Sequence, residues 1–460
     1  MKNKEVNTIY QPTRRTFIRQ AACAALGTSG LLSTIWDLRK LSAATTTGDY
    51  KALVCLFLYG GNDANNVLIP NDLAAYNTYA NARGNLAIPR QSLLPLTISA
   101  GDGRNYGVHP SLPELANLFN QGKLTLVTNV GTLVAPTTRN DYINGTAAVP
   151  INLFSHQDQA VQWMTSVPDR GDIRTGWGGR AADLVASLNG VSNVSLALSI
   201  AGTNTFEVGN TVVPYLISPD GSLGLTGVGG SANDQIRIDG FKKLLALPHN
   251  KLFEAAYSDT MSRSIAENEA LSSALAGVGP LSTPFPDTDL GRQLAMVSKL
   301  IAARTNLGMQ RQIFFVAVGG YDTHGDQLAA QANLLSELST GLNAFYSTTV
   351  ELGVEQSVTT FTASDFGRTL PTNGNGSDHG WGSHQFVMGG AVVGNRLYGT
   401  FPTLAVNGPD DTEDGRWIPT TSVDEFSATI ARWFGVSTSD MPTVFPNIGR
   451  FANPNLGFLG

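Results

Sequence analysis

The sequence predicts an α/β protein in which a mostly parallel central sheet is covered on both faces by helices, a three-layer αβα sandwich. Three observations lead there: short β-branched apolar runs, longer stretches with helical apolar spacing, and the regular alternation of the two. Strands alternating with helices imply βαβ units, whose crossovers place helices over a parallel sheet.

The runs at 52–59, 124–130, 194–200, 313–318 and 358–363 are apolar without polar alternation and short enough to be buried strands. Between them, 111–120 opens with Ser and Pro at helix-start positions, and 252–275, 287–304, 326–352 and 423–433 repeat apolar residues at i, i+3 and i+4. The stretch 203–239, rich in Gly, Ser and Asn, shows no helical periodicity and is expected to be a loop-rich insertion forming a lid or small subdomain.

Residues 1–44 read as a signal peptide. Lys2, Lys4, Arg14 and Arg15 precede a modest apolar segment, 21–36, too short and too rich in small residues to span a bilayer. TRRTFIR (13–19) between them resembles the twin-arginine signature, Arg39 and Lys40 follow, and Ser42, Ala43 and Ala44 offer a cleavage site. The expectation is export in the folded state by the twin-arginine translocase to the periplasm or beyond, leaving one large domain over 45–460.

Composition narrows the partners. With 49 Gly, 22 Pro and 14% charged residues the chain reads as loop-rich and enzyme-sized, and a net charge of -6 with no basic, aromatic-interleaved patch argues against nucleic acid. Cys23 leaves with the signal peptide, so Cys55 has no disulfide partner. No later stretch is apolar for long enough to form a stable membrane span.

Three predicted strands run into polar loops, LYGGNDANN (58–66), VGGYDTHG (318–325) and TASDFGRT (362–369), and GSDHGWGSHQF (376–386) follows. Ligands of open α/β sheets sit beyond the carboxyl ends of strands. Asp322 and His324, two apart on an extended strand end, point the same way, and His379 and His384 lie in a loop whose glycines let them converge. Carboxylate with imidazole suits Zn, Mn or Fe, and carboxylate with amide and water suits Ca or Mg, so a divalent metal ion of open identity is expected. His249 stands apart in an ordinary loop.

GGND, His109-Pro110, SHQDQ (155–159), TGWGGR (175–180), GGYDTHG, SDFGRT, DHGWGSH, ATIARWFGV (428–436) and LGFL (456–459), in this order, resemble the exported proteins of domain-of-unknown-function family 1501. That family is similar in turn to the alkaline phosphatase and sulfatase superfamily. The resemblance implies an alkaline phosphatase-like sandwich carrying one or two divalent metals. It places Asp63 at the first-strand metal ligand, Asp322 and His324 at a middle-strand pair, and Asp365 at a late-strand ligand whose usual His partner is here Phe366. His379 or His384 would fill that gap. Asn65 and Asn66 stand where the superfamily keeps its nucleophile, so a metal-activated water is the expected attacking group. SVPDRGDIRTG (166–176) resembles the sulfatase signature but has Asp169 at a normally small position, which favours packing over chemistry.

Two function classes follow. One is a metal-dependent hydrolase of phosphate or sulfate esters, small or polymeric, with Asp63, Asp322, His324, Asp365, His379 and His384 as ligands, His156 and Asp158 as general base or substrate contacts, and Arg368 as anion clamp. The other is a non-catalytic exported binding or assembly protein that keeps the fold and a structural ion, for which the missing nucleophile argues.

Overall fold

The structure, a computed structural model, describes residues 49–190, 192, 194–222 and 231–460. The predicted signal peptide, with Arg14 and Arg15, lies outside the described residues.

In chain order the strands are β1 (Lys51–Leu58), β2 (Leu68–Pro70), β3 (Leu94–Pro95), β4 (Tyr106–Val108), β5 (Leu124–Gly131), β6 (Ala197–Ser199), β7 (Tyr215–Ser218), β8 (Gly221–Ser222), β9 (Arg311–Val318), β10 (Val358–Ser364), β11 (Ser383–Met388), β12 (Leu397–Tyr398) and β13 (Thr421–Ser422). The main sheet runs β12-β5-β11-β10-β1-β9-β6-β7-β8, with β13 also on β5, and β2, β4 and β3 form a small second sheet. Among its described strands, β11 and β8 run against the rest. The sheet is therefore mixed but mostly parallel.

β1 is the middle strand, and its unbroken apolar sequence reflects burial on both faces: from Ala52 to Leu58 no residue is more than 3% exposed. It pairs in parallel with β9 and with β10, and Leu58 stands level with Val318 and Ser364. Because the three strands stop together, their following loops open on one edge.

Helices Pro113–Asn120, Asp289–Ala302 and Gln327–Glu351 pack together on one side of the sheet. On the other, His156–Thr165, Trp177–Val185, Val423–Phe434 and Met441–Val444 meet strand residues through an aromatic cluster that includes Trp163, Trp177, Phe361 and Phe426. Offset and edge-to-face contacts of this kind add to their area burial.

Two elements differ from the sequence expectation. Part of 203–239 is regular: β7 extends the sheet beyond β6, and a helix spans Ala232–Leu245. That helix buries only Leu245, so it carries no apolar stripe to read. The loop before β7 is pinned by Asp183, whose carboxylate accepts the N–H groups of Asn210, Thr211 and Val212. Likewise, the second half of GSDHGWGSHQF is β11, a strand buried along its whole length.

Candidate metal centre

The ends of β1 and β10 are tied before the site begins. Ser364 Oγ donates to Leu58 O at 2.6 Å and accepts from Asn62 N–H at 2.8 Å. The next residue, Asp365, accepts from Gly60 N–H at 3.0 Å through Oδ2. Gly60 has φ 116°, and a Cβ there would meet the backbone nitrogen of Asp322 at 2.3 Å, so only glycine lets the β1 and β9 loops close on each other. Gly376 serves the β10–β11 loop similarly, since its Cβ would lie 2.3 Å from Thr323 O.

Four side chains from three segments converge on Asp322. His156, at the first turn of a helix capped by Ser155, places Nε2 3.5 Å from Asp322 Oδ2. His324 Nε2 and His379 Nε2 lie 3.0 and 3.5 Å from Asp322 Oδ1, and Arg368 Nη1 donates to the same oxygen at 2.9 Å. Burial works to raise the Asp322 carboxyl, but the hydrogen bond and charge of Arg368, with His324 and His156, outweigh it and hold the group below its ordinary value. Asp322 is thus a carboxylate.

The far nitrogen of each imidazole is fixed by an acceptor. His156 Nδ1 meets Asp365 Oδ2 at 2.7 Å, His324 Nδ1 meets Asp378 Oδ1 at 3.1 Å, and His379 Nδ1 meets Phe154 O at 2.9 Å. Held at Nδ1 by these acceptors, each ring turns its other nitrogen, Nε2, toward Asp322. This is how proteins orient metal-binding histidines. Burial lowers the His379 pKa, which favours its neutral form. Burial also raises the Asp365 carboxyl, against the hydrogen bond from His156.

The fit to a divalent ion rests on three features. Ligand atoms of His156, Asp322 and His379 all lie within 4.8 Å of one another. His156 Nε2 and Asp365 Oδ1 are buried with no hydrogen-bond partner, where such groups are normally satisfied. His324 Nε2 stands 3.0 Å from His379 Nε2, which brings a further imidazole nitrogen to the same point. An imidazole-rich set with carboxylate suits Zn, Mn or Fe better than Ca or Mg.

The sequence-predicted residues divide cleanly. His156, Asp322, His324, Asp365, His379 and Arg368 come together. Asp63 does not join them: its fully buried carboxylate accepts from the guanidinium of Arg83 and from Gln327, so an internal arginine provides its cation. His384 lies in β11, where Nδ1 accepts from Asn129 N–H at 3.0 Å and the ring packs on Phe401, and burial pushes its pKa down to about 3. Asp158 turns back to Ser155 Oγ at 2.5 Å and to Asn152, closing its own helix. Arg368 is fully buried and donates through Nε, Nη1 and Nη2 to Ser377 O, Gly60 O and Asp322, so it positions Asp322 and does not reach out to an anion. Asn65 and Asn66 are buried and bonded to Trp417 and Arg83. Ser166 is also buried, ending the helix that begins at His156, roughly 15 Å away at 1.5 Å per residue.

Three contributors were missed. Asp378 orients His324, and its adjacency to His379 in DHG was a usable signal. Arg416, whose Nε donates to His379 O at 2.9 Å and whose guanidinium lies over Phe154, stands at the rim. Arg83 had no signal, because only folding brings its helix to Asp63.

Residues 50–447 match the family described as "Protein of unknown function (DUF1501)". No curated protein matches the chain significantly. Among solved structures, a sulfatase from Pseudoalteromonas sp. is similar at 12% identity and TM-score 0.36, over 92% of this chain and 76% of that one. A protein in the alkaline phosphatase superfamily from Vibrio parahaemolyticus is similar at 11% identity and TM-score 0.30, over 88% and 75%. The C-terminal periplasmic domain of EcEptC from Escherichia coli, solved in complex with Zn, is similar at 12% identity and TM-score 0.31, over 88% of each chain. At such scores the architecture described above rests on the sheet itself.

Proposed function

The chain belongs to the DUF1501 family, and from the geometry of its strand-end centre we propose that it is an exported metal-dependent hydrolase of phosphate or sulfate esters. The observation that carries the reading is the convergence of three imidazoles, each with its Nδ1 held by an acceptor, on one ionised carboxylate. His156, Asp322 and His379 would hold the ion, with His324 Nε2 beside them and Asp365 behind His156, holding its Nδ1. A divalent ion there supplies Lewis acidity and lowers the pKa of water towards neutrality.

The protein's own residues do the rest. Asp365, Asp378 and the Phe154 carbonyl keep the rings aimed, and Arg368 fixes Asp322. Phe366 packs at 4.6 Å from the His156 ring and 4.7 Å from that of His379, shielding one side of the cluster. Asp322 and His324 are nearly half-exposed, so the other side is open to an ester.

The second reading, a non-catalytic binding or assembly protein with a structural ion, is favoured by the buried Asn65 and Asn66 and by the enclosure of Arg368. Two measurements separate the readings: metal content of the purified exported protein, and turnover of phosphomonoesters, phosphodiesters and sulfate esters with Zn, Mn, Fe, Ca or Mg. Bound metal with turnover supports the hydrolase; bound metal without any turnover supports the structural ion. Metal-free, folded and active protein sinks the metal mechanism. Export is tested by changing Arg14 and Arg15 together to Lys, which should abolish transport because the receptor reads paired guanidinium groups.

A further inference from the structure

The metal centre uses only part of the sheet edge where its loops open. At the ends of β1, β9 and β6 lies an open cleft of about 360 Å³, lined by Tyr59, Ile200, Ala201, Ala317 and Val318, with Asp289 among its lining residues. That volume is at the small end of ligand pockets, which begin near ~300 Å³. The backbone carries this cleft directly into the centre. Tyr59 N–H donates to Val318 O at 2.8 Å, and Tyr59 O accepts from Tyr321 N–H at 3.1 Å. The residues that follow these two tyrosines are Gly60, which bonds Asp365 and Arg368, and Asp322 itself.

The chemistry of the lining identifies its occupant. Gln293, the one amide there, is already engaged: Nε2 donates to Ala317 O at 2.8 Å and to Asp289 Oδ2 at 3.0 Å, and Oε1 accepts from Ala317 N–H at 3.0 Å. The Tyr59 ring is held against Phe57, with centroids 4.5 Å apart. Burial, and after it the nearby Cys55 and Asp365, push the Tyr59 phenol up to about 12, so at neutral pH it is an uncharged donor. Asp289 is the one charged side chain in the lining, and no lysine or arginine lines the cleft. A second anionic group would find no partner there, whereas the aliphatic walls and the tyrosine ring can take apolar surface out of water.

Resting on the hydrolase reading, we propose that this cleft receives the organic part of the ester, and that the substrate is a phosphate or sulfate ester of a neutral, ring-bearing alcohol. The test compares benzyl with methyl phosphate, and benzyl with methyl sulfate, on the metal-loaded exported protein. Benzyl and methyl alcohols are leaving groups of similar basicity, so the comparison reads binding of the ring. Wild type should favour the benzyl ester about ten-fold or more in kcat/KM, from burial of the ring. Calorimetric titration should show the same ratio between benzylphosphonate and methylphosphonate, which are not hydrolysed. Tyr59→Ala, which removes one wall, and Ala201→Glu, which places a charge at a partly exposed position, should each reduce both ratios to about two-fold or less. Bound metal and the circular dichroism spectrum should not change in either variant. Turnover or phosphonate binding without a benzyl preference overturns the proposal and leaves the hydrolase reading standing, as does a preference that both variants retain. Absence of turnover on all four esters removes the hydrolase reading, and the substrate assignment with it.

Discussion

Asp63 and Asp322 follow adjacent parallel strands of one sheet, yet they do opposite things. Asp63 is fully buried, and the fully buried Arg83 meets it inside the protein. Asp322 is nearly half-exposed and gathers the Nε2 atoms of three imidazoles beside its bond from Arg368. A carboxylate enclosed on every side by Arg83 and Gln327 is scaffold, while one that keeps an open side ringed by oriented imidazoles is prepared for something brought from outside. The contrast lies in the partner, not in the strand end.

The largest effect should come from opening the closed centre. Arg83→Ala leaves the Asp63 carboxylate buried without its partner and should cost about 3–5 kcal/mol in chemical unfolding. A loss under about 1 kcal/mol would mean that Asp63 is not held as an ion pair and would return it to the list of ligands.

Next come the buried histidines, which set the acid limit. His384 and His109 have pKa values pushed down by burial to about 3 and about 4. Unfolded histidine titrates near ~6.5, so below that pH the unfolded chain binds more protons and folding stability falls as pH drops. Between pH ~6.5 and ~5 the loss should be on the order of 2 kcal/mol from His384, and His384→Gln should flatten that slope. Metal occupancy at neutral pH should survive His384→Gln, because His384 faces Asn129 and not Asp322.

Gly60→Ala should cost about 1–3 kcal/mol through its positive φ and also displace Asp322, lowering metal content. Asp322→Ala and His324→Ala should act the other way round: about 1 kcal/mol or less of stability, since both are exposed, but loss or weakening of the ion by elemental analysis. The smallest effect belongs to His249→Ala. His249 bonds only Ser258 Oγ among the described residues, so stability should move within about 0.5 kcal/mol and metal not at all. Unchanged occupancy in Asp322→Ala, His324→Ala and His249→Ala alike would make the histidine cluster scaffolding too, and the binding-protein reading would lead.

Strands and helices with strong patterns were legible in the amino-acid order alone. The five apolar runs hold strands of the sheet, and the four periodic stretches, with 111–120 and its Ser and Pro start signals, hold helices, because burial on two faces or on one leaves its period in the chain. That order also grouped Asp322, His324, Asp365 and His379, though with Asp63 and His384 among them, because three of the four polar loops follow strands that are neighbours in the sheet. Tertiary structure alone decided which polar residues were closed off. Arg83 is distant in sequence from Gln327, and nothing local announces that both will meet Asp63. His384 is two residues before Phe386 in a segment whose glycines read as loop, but pairing with β5 and β10 makes it a strand and turns the imidazole inward. The helix at Ala232–Leu245 hid for the reverse reason, having almost nothing to bury. Periodicity records contact with a core, whereas the difference between an exposed, imidazole-ringed carboxylate and a buried ion pair depends on which distant groups pack beside it.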